Sequence, residues 1–210
     1  MELLTTHLTK ILTYPICTQN VLKRYLSLLA PYYYTDPTHG RPPSEQPVVM
    51  AGIRGIFTLP KRLFRTLTPE DAANKLNFVK YLCSIPPVYR YLPHDHLNER
   101  RKVEPFTPSA NVNSHNGYPL IRAVQVRYLP LVELLIWNGA DPTKRDNMAI
   151  MMAIRYRDLE LTRVLMDSDS VDATSSMVRQ AVDAQADDII AWLVGEKGCV
   201  PDMRTLRLMG

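Results

Sequence analysis

The sequence predicts an all-α solenoid of stacked helix–turn–helix hairpins. Residues 116–142 and 146–170 align without a gap at a constant offset of 30. Within each copy, apolar and small residues recur at helical spacing. The composition suits a packed chain: of 210 residues, 46% are hydrophobic and 22% charged, which excludes wholesale disorder. Against 17 prolines there are 8 glycines, too few to supply many phosphate-cradling loops.

The elements of each copy follow from slot matching. Leu120 pairs with Ile150, Ala123 with Ala153, Leu131 with Leu161, and Leu134-Leu135 with Val164-Leu165. Leu120, Ala123 and Val124 mark a first helix; Leu131, Leu134 and Leu135 mark a second. Polar pairs, Arg127-Tyr128 and Arg157-Asp158, lie between them. Pro130 falls in the first turn of its helix, where a missing N–H costs little. Asn138-Gly139 ends that helix with residues that tolerate left-handed backbone. A third copy puts Ala181 in the Ala153 slot at an offset of 28, with Ile189, Trp192 and Leu193 as its outer apolar positions and Ala186-Asp187 as its turn. No hairpin buries its apolar stripe alone, so the copies must stack.

These residues resemble the ankyrin repeat. Tyr118-Pro119-Leu120-Ile121-Arg122-Ala123-Val124 stands for the family's Thr-Pro-Leu-His-x-Ala-Ala helix. Leu131-Val132-Glu133-Leu134-Leu135 stands for its second helix and Gly139-Ala140-Asp141 for its ending. Ser109-Ala110-Asn111-Val112-Asn113 looks like the ending of an earlier repeat. Ile121, Met151 and Val178 occupy the His slot, so the hydrogen bond that the family makes there is absent. From Ala110 to Ala123, and again from Ala140 to Ala153, the interval is 13 residues. The family norm is about three longer, so the β-hairpin fingers are expected to be short or reduced to turns.

The same pattern organises the rest. Residues 1–35 read as an N-terminal capping hairpin, with 18–29 as an outer-type helix. Residues 36–108 read as a degenerate ankyrin-like repeat with a Pro-rich insertion, and 109–210 as ankyrin repeats with a C-terminal cap. In the middle segment, Pro47, Ala51 and Gly55 fit the Pro, Ala and Gly slots of a first helix. Residues 57–67 form an insertion, and 75–83 a second helix preceded by a cap at Thr68. Residues 84–108 hold five prolines and no helical period, which reads as a long ordered loop.

Chemistry is sparse. His94-Asp95-His96 offers two ligands where zinc needs three or four, and reads as a polar loop. Glu99-Arg100-Arg101-Lys102 reads as a solvated charge run. Arg54, Lys61, Arg62 and Arg65 are spaced so that a helix could present several together. Tyr32-Tyr33-Tyr34 reads either as closing the N-terminal cap over the core, the favoured reading, or as a partner-binding aromatic patch. Cys83 and Cys199 read as buried small hydrophobes. No GxSxG, P-loop or dinucleotide motif occurs. The expectation is therefore a non-enzyme with no metal and no cofactor.

What the resemblance implies is a protein-interaction scaffold or adaptor that binds a partner through its concave face. Arg122, Gln125, Arg145, Arg155 and Tyr156 are the candidate contacts there, facing a partner with an acidic segment; the finger tips would add Ser114, His115 and Lys144. An alternative reading is nucleic-acid or acidic-surface binding through the basic N-terminal half. Residues 1–108 carry 14 Lys/Arg and 8 Asp/Glu, against 11 and 13 in 109–210. The separated cysteines and the lack of a bilayer-length apolar run place the chain inside the cell, cytoplasmic or nuclear, away from membranes, and a monomer is expected.

Overall fold

A computed structural model describes residues 2–28, 48–49, 53–85, 88–91, 102–167 and 171–209. Two compact units emerge, one formed by Met1–Pro60 with Asn77–Asn111 and the other by Lys61–Leu76 with Val112–Gly210.

In the first unit, helix α1 (Glu2–Leu12) buries Leu4, Leu8 and Leu12, a stripe of period four. Helix α2 (Gln19–Leu28) starts where the Thr18 hydroxyl accepts from Val21 N–H at 3.4 Å, and it buries Leu22. A hydrogen bond of 3.3 Å between Tyr25 and His7 Nδ1 joins the two. Tyr32, Tyr33 and Tyr34 lie outside the described residues.

A sheet follows where a helix was expected. Strands β1 (Val48–Val49) and β2 (Ile53–Thr58) pair in parallel with β4 (Lys102–Asn111), and β3 (Val88–Tyr91) pairs with β4 antiparallel. The β2 register runs from Ile53 opposite Phe106 to Thr58 opposite Asn111. The slot match to Pro47, Ala51 and Gly55 is thereby corrected: Gly55 is inside β2, while Pro47 and Ala51 lie outside the described residues. The cause is compositional. Val48, Val49, Ile53 and Ile56 are β-branched, and Gly55 disfavours a helix. Alternation is visible at the end of β2, where Ile56 is exposed and Phe57 buried. Against β2, α1 supplies the Thr9 hydroxyl, which accepts from Thr58 N–H at 3.1 Å. Residues 84–108 are also more than a loop, since they contain β3 and most of β4. Pro105 pairs opposite Tyr89 and Pro108 opposite Gly55; prolines inside a paired strand mask its pattern.

The second unit is the helical array. Its first helices are α3 (Arg62–Arg65), α5 (Ser114–Gln125), α7 (Lys144–Arg155), α9 (Ser175–Asp183) and α11 (Met203–Met209). Each packs on the next in that order. The second helices are α6 (Leu129–Trp137), α8 (Leu159–Met166) and α10 (Asp187–Gly195), which pair with α5, α7 and α9 and stack on one another. Ala123, Ala153 and Ala181 are fully buried, so the small residue recurs where neighbouring first helices touch. Leu131, Leu161 and Ile189, and Leu135, Leu165 and Leu193, fill matching buried slots on the second helices.

Residues 57–67, expected as an insertion, contain α3, whose Leu63 and Phe64 are buried. It stacks on α5 as a first helix does. Four residues are too few to show a period of 3.6. Helix α4 (Pro69–Cys83) begins after Thr68, whose hydroxyl accepts from Asp71 N–H at 3.3 Å, and the boundary between the units falls within it.

Two kinds of link recur. Each fingertip is one turn of left-handed backbone: φ is 55, 58 and 76° at His115, Asn116 and Gly117, and 56, 56 and 61° at Arg145, Asp146 and Asn147. The fingers are thus reduced to turns. Helices α5, α7 and α9 each end on a left-handed residue: Arg127 (φ 54°), Arg157 (57°) and Gln185 (54°). The next N–H then donates back to the slot alanine, from Tyr128 to Ala123, Asp158 to Ala153 and Ala186 to Ala181. This is a Schellman ending, normally built on glycine. It also corrects the third turn, which is Gln185-Ala186 rather than Ala186-Asp187; the offset of 28 carries Arg157 to Gln185.

Candidate protein-binding face

The first helices bury Leu120, Ala123 and Val124, Ile150, Ala153 and Ile154, and Met177, Val178 and Ala181. What remains on the other side is the candidate face. Its five expected residues have different circumstances.

Arg122 is held by the stack. Its Nε donates to Phe64 O and one terminal nitrogen to Arg65 O, each at 3.1 Å; the other donates to Gln125 Oε1. A cation at the carbonyl end of α3 offsets the negative helix terminus. Arg122 therefore bolts α5 to α3, and Gln125 completes its hydrogen bonds. Arg145 sits in the left-handed tip and donates to His115 O at 3.3 Å, which ties neighbouring tips together. Arg155 is exposed and makes no hydrogen bond or ion pair among the described residues. Tyr156, the C-cap of α7, follows it and is 36% exposed.

The surrounding charges are largely paired. Arg179 is joined to Asp202, which also caps α11 by accepting from Thr205 N–H at 2.7 Å. Lys144 pairs with Asp141 at 3.1 Å. The Asp141 carboxyl lies below its ordinary range, chiefly because it accepts from the Thr143 hydroxyl at 2.6 Å. Ser114, expected at a tip, is buried.

The basic set read from sequence does not share one helix. Arg54 belongs to β2 and Arg62 and Arg65 to α3, while Lys61 lies 6.0 Å from the ring centre of Tyr118. His94 and His96, with Glu99, Arg100 and Arg101, lie outside the described residues. Among the described residues no group of three His, Cys, Asp or Glu is arranged to hold a metal, and no helix is long and apolar enough to cross a membrane. Cys17, Cys83 and Cys199 form no disulfide, and burial pushes the Cys83 thiol up to about 11.

One exposed aromatic escaped the sequence reading. Trp137, at the end of α6, is 90% exposed. The signal was present: two residues past Leu135, it falls off the buried stripe of a helix.

Stacked helical hairpins with left-handed tips and an exposed first-helix face define a repeat array suited to macromolecular contact. Residues 115–147 match the family model of the ankyrin repeat, so this stretch of the array is an ankyrin repeat. No curated protein and no solved structure matches it. The ankyrin repeat is a protein–protein interaction module.

Proposed function

We propose that this chain is a non-catalytic intracellular adaptor. Its 109–210 array binds an acidic segment of another protein through the first-helix face. The supporting observation is the contrast within the arginines. Arg122, Arg145 and Arg179 are engaged inside the array, while Arg155 stands exposed and unpartnered beside Tyr156. Arg and Tyr are the residue types that most often anchor interfaces. Arg155 and Tyr156 form the contact centre, Gln125 and Arg145 its rim, and Arg122 the positioning residue beneath.

Selection of a random peptide library on the purified chain tests this. Acidic peptides should be enriched. Arg155→Ala with Tyr156→Ala should weaken them more than tenfold, about 1.4 kcal/mol or more, with an unchanged melting temperature. Arg122→Ala should instead lower the melting temperature. Acidic peptides that bind the double variant as tightly as the parent would place the contact elsewhere.

A further inference from the structure

The second-helix side of the array carries a different surface. Glu133, Ile136, Trp137, Arg163, Val164 and Asp167 line an open cleft of about 390 Å³ between α6 and α8. Trp137 stands in it at 90% exposure, whereas Trp192 is 7% exposed and packed under Arg163 and Lys197, at 5.7 and 5.4 Å from its ring. An indole left in water forgoes the largest burial gain any side chain offers.

The charges around it are unbalanced. Arg163 is engaged, paired with Glu196 at 3.2 Å and lying over Trp192. Glu133 and Asp167 have no ion-pair partner among the described residues. Glu133 is one helical turn before Trp137, on the same side of α6. Trp137 is the last residue of α6 and Asp167 the C-cap of α8, so both helices end at the cleft. Helix C-termini carry partial negative charge, and α6 has no basic residue in its last turn to offset it. An open aromatic face, two carboxylates without an ion-pair partner among the described residues and the uncompensated end of α6 all favour a cation.

We infer that this cleft is a second docking site, which takes a basic segment of a partner protein by seating an arginine or lysine against Trp137 between Glu133 and Asp167. Apolar neighbours of that residue pack on Ile136 and Val164. The site is separate from the Arg155–Tyr156 face and has the opposite charge preference, so either can fail without the other.

The same peptide-library selection tests it when run on the parent chain and counter-selected on Trp137→Ser, a change at a solvated position. Enriched peptides should pair Arg or Lys with aliphatic residues. Measured by anisotropy of labelled peptides, their affinity should fall at least tenfold in Trp137→Ser. Glu133→Gln with Asp167→Asn should cost a similar factor, as should citrulline in place of the peptide arginine. Arg155→Ala with Tyr156→Ala should leave these peptides unaffected. The inference is overturned if no peptide distinguishes parent from Trp137→Ser, if the distinguishing peptides are acidic or uncharged, or if citrulline peptides bind equally. It is also overturned if the chain sediments as a dimer that Trp137→Ser disperses, since the cleft would then serve a second copy of this chain.

Discussion

Arg127, Arg157 and Gln185 occupy backbone that glycine adopts freely and other residues adopt at a cost of about 1–2 kcal/mol. Two of the three recover something. Arg127 reaches Asp158 Oδ2 at 3.1 Å, on the carboxylate whose other oxygen caps α8 by accepting from Leu161 N–H at 3.1 Å. Arg157 donates to the carbonyl of Gln185, so each of these turns is clipped to the following one. The Gln185 side chain has no partner among the described residues; only its backbone is used, the carbonyl accepting from Arg157 and the N–H donating to Val182 O. Gln185→Gly should therefore relieve strain without breaking a bond, raising the melting temperature by a few degrees on about 1 kcal/mol. Arg127→Gly, which also removes the Asp158 contact, should gain less. Thermal denaturation of the two variants decides this; a lower melting temperature for Gln185→Gly would show that the side chain contributes more than its backbone costs.

Helix-linking elements obey tighter rules than the helices they join. Gly117 has φ 76°, and a Cβ there would sit 2.8 Å from Cβ of Lys144 in the next tip. Strain and overlap act together, so Gly117→Ala should destabilise by about 2–3 kcal/mol. Asn147 fills the equivalent slot at φ 61°, and Asn147→Gly should be neutral or stabilising. A melting curve for Gly117→Ala that overlays the parent would mean that the tips do not abut. The array's elements were legible in sequence because Ala123, Ala153 and Ala181 fix a register and each helix is long enough to show its period. The sheet was not, because β2 pairs with a strand about fifty residues away and the Pro105 and Pro108 positions of that strand hide its alternation. Missing α3 had a further effect at the candidate face: with no helix end in view, Arg122 could only be read as facing solvent. Arg155 and Tyr156 needed nothing distant, and their exposed positions follow from the repeat alone.

At the scale of the whole array, each hairpin is supported by its two neighbours, so damage should depend on position. Ala153 lies in α7, which packs on both α5 and α9. Ala153→Leu overpacks a close helix contact and should cost about 1–3 kcal/mol, with hydrogen-exchange protection reduced across α5, α7 and α9. Unchanged melting and exchange would mean that the alanine slot is not close-packed. The left-handed tips bear on how such an array can change over generations. Five of the six left-handed positions in the two tips are not glycine, so the bend is imposed by the length of the link rather than by its letters. Inserting or deleting one residue would swing the next helix by about 100° and carry its apolar stripe out of line. Substituting a tip residue leaves that frame intact, unless it adds bulk at Gly117. Such a protein can diversify the chemistry it displays at its tips while its spelling length stays frozen, so relatives should differ in tip composition far more than in tip length.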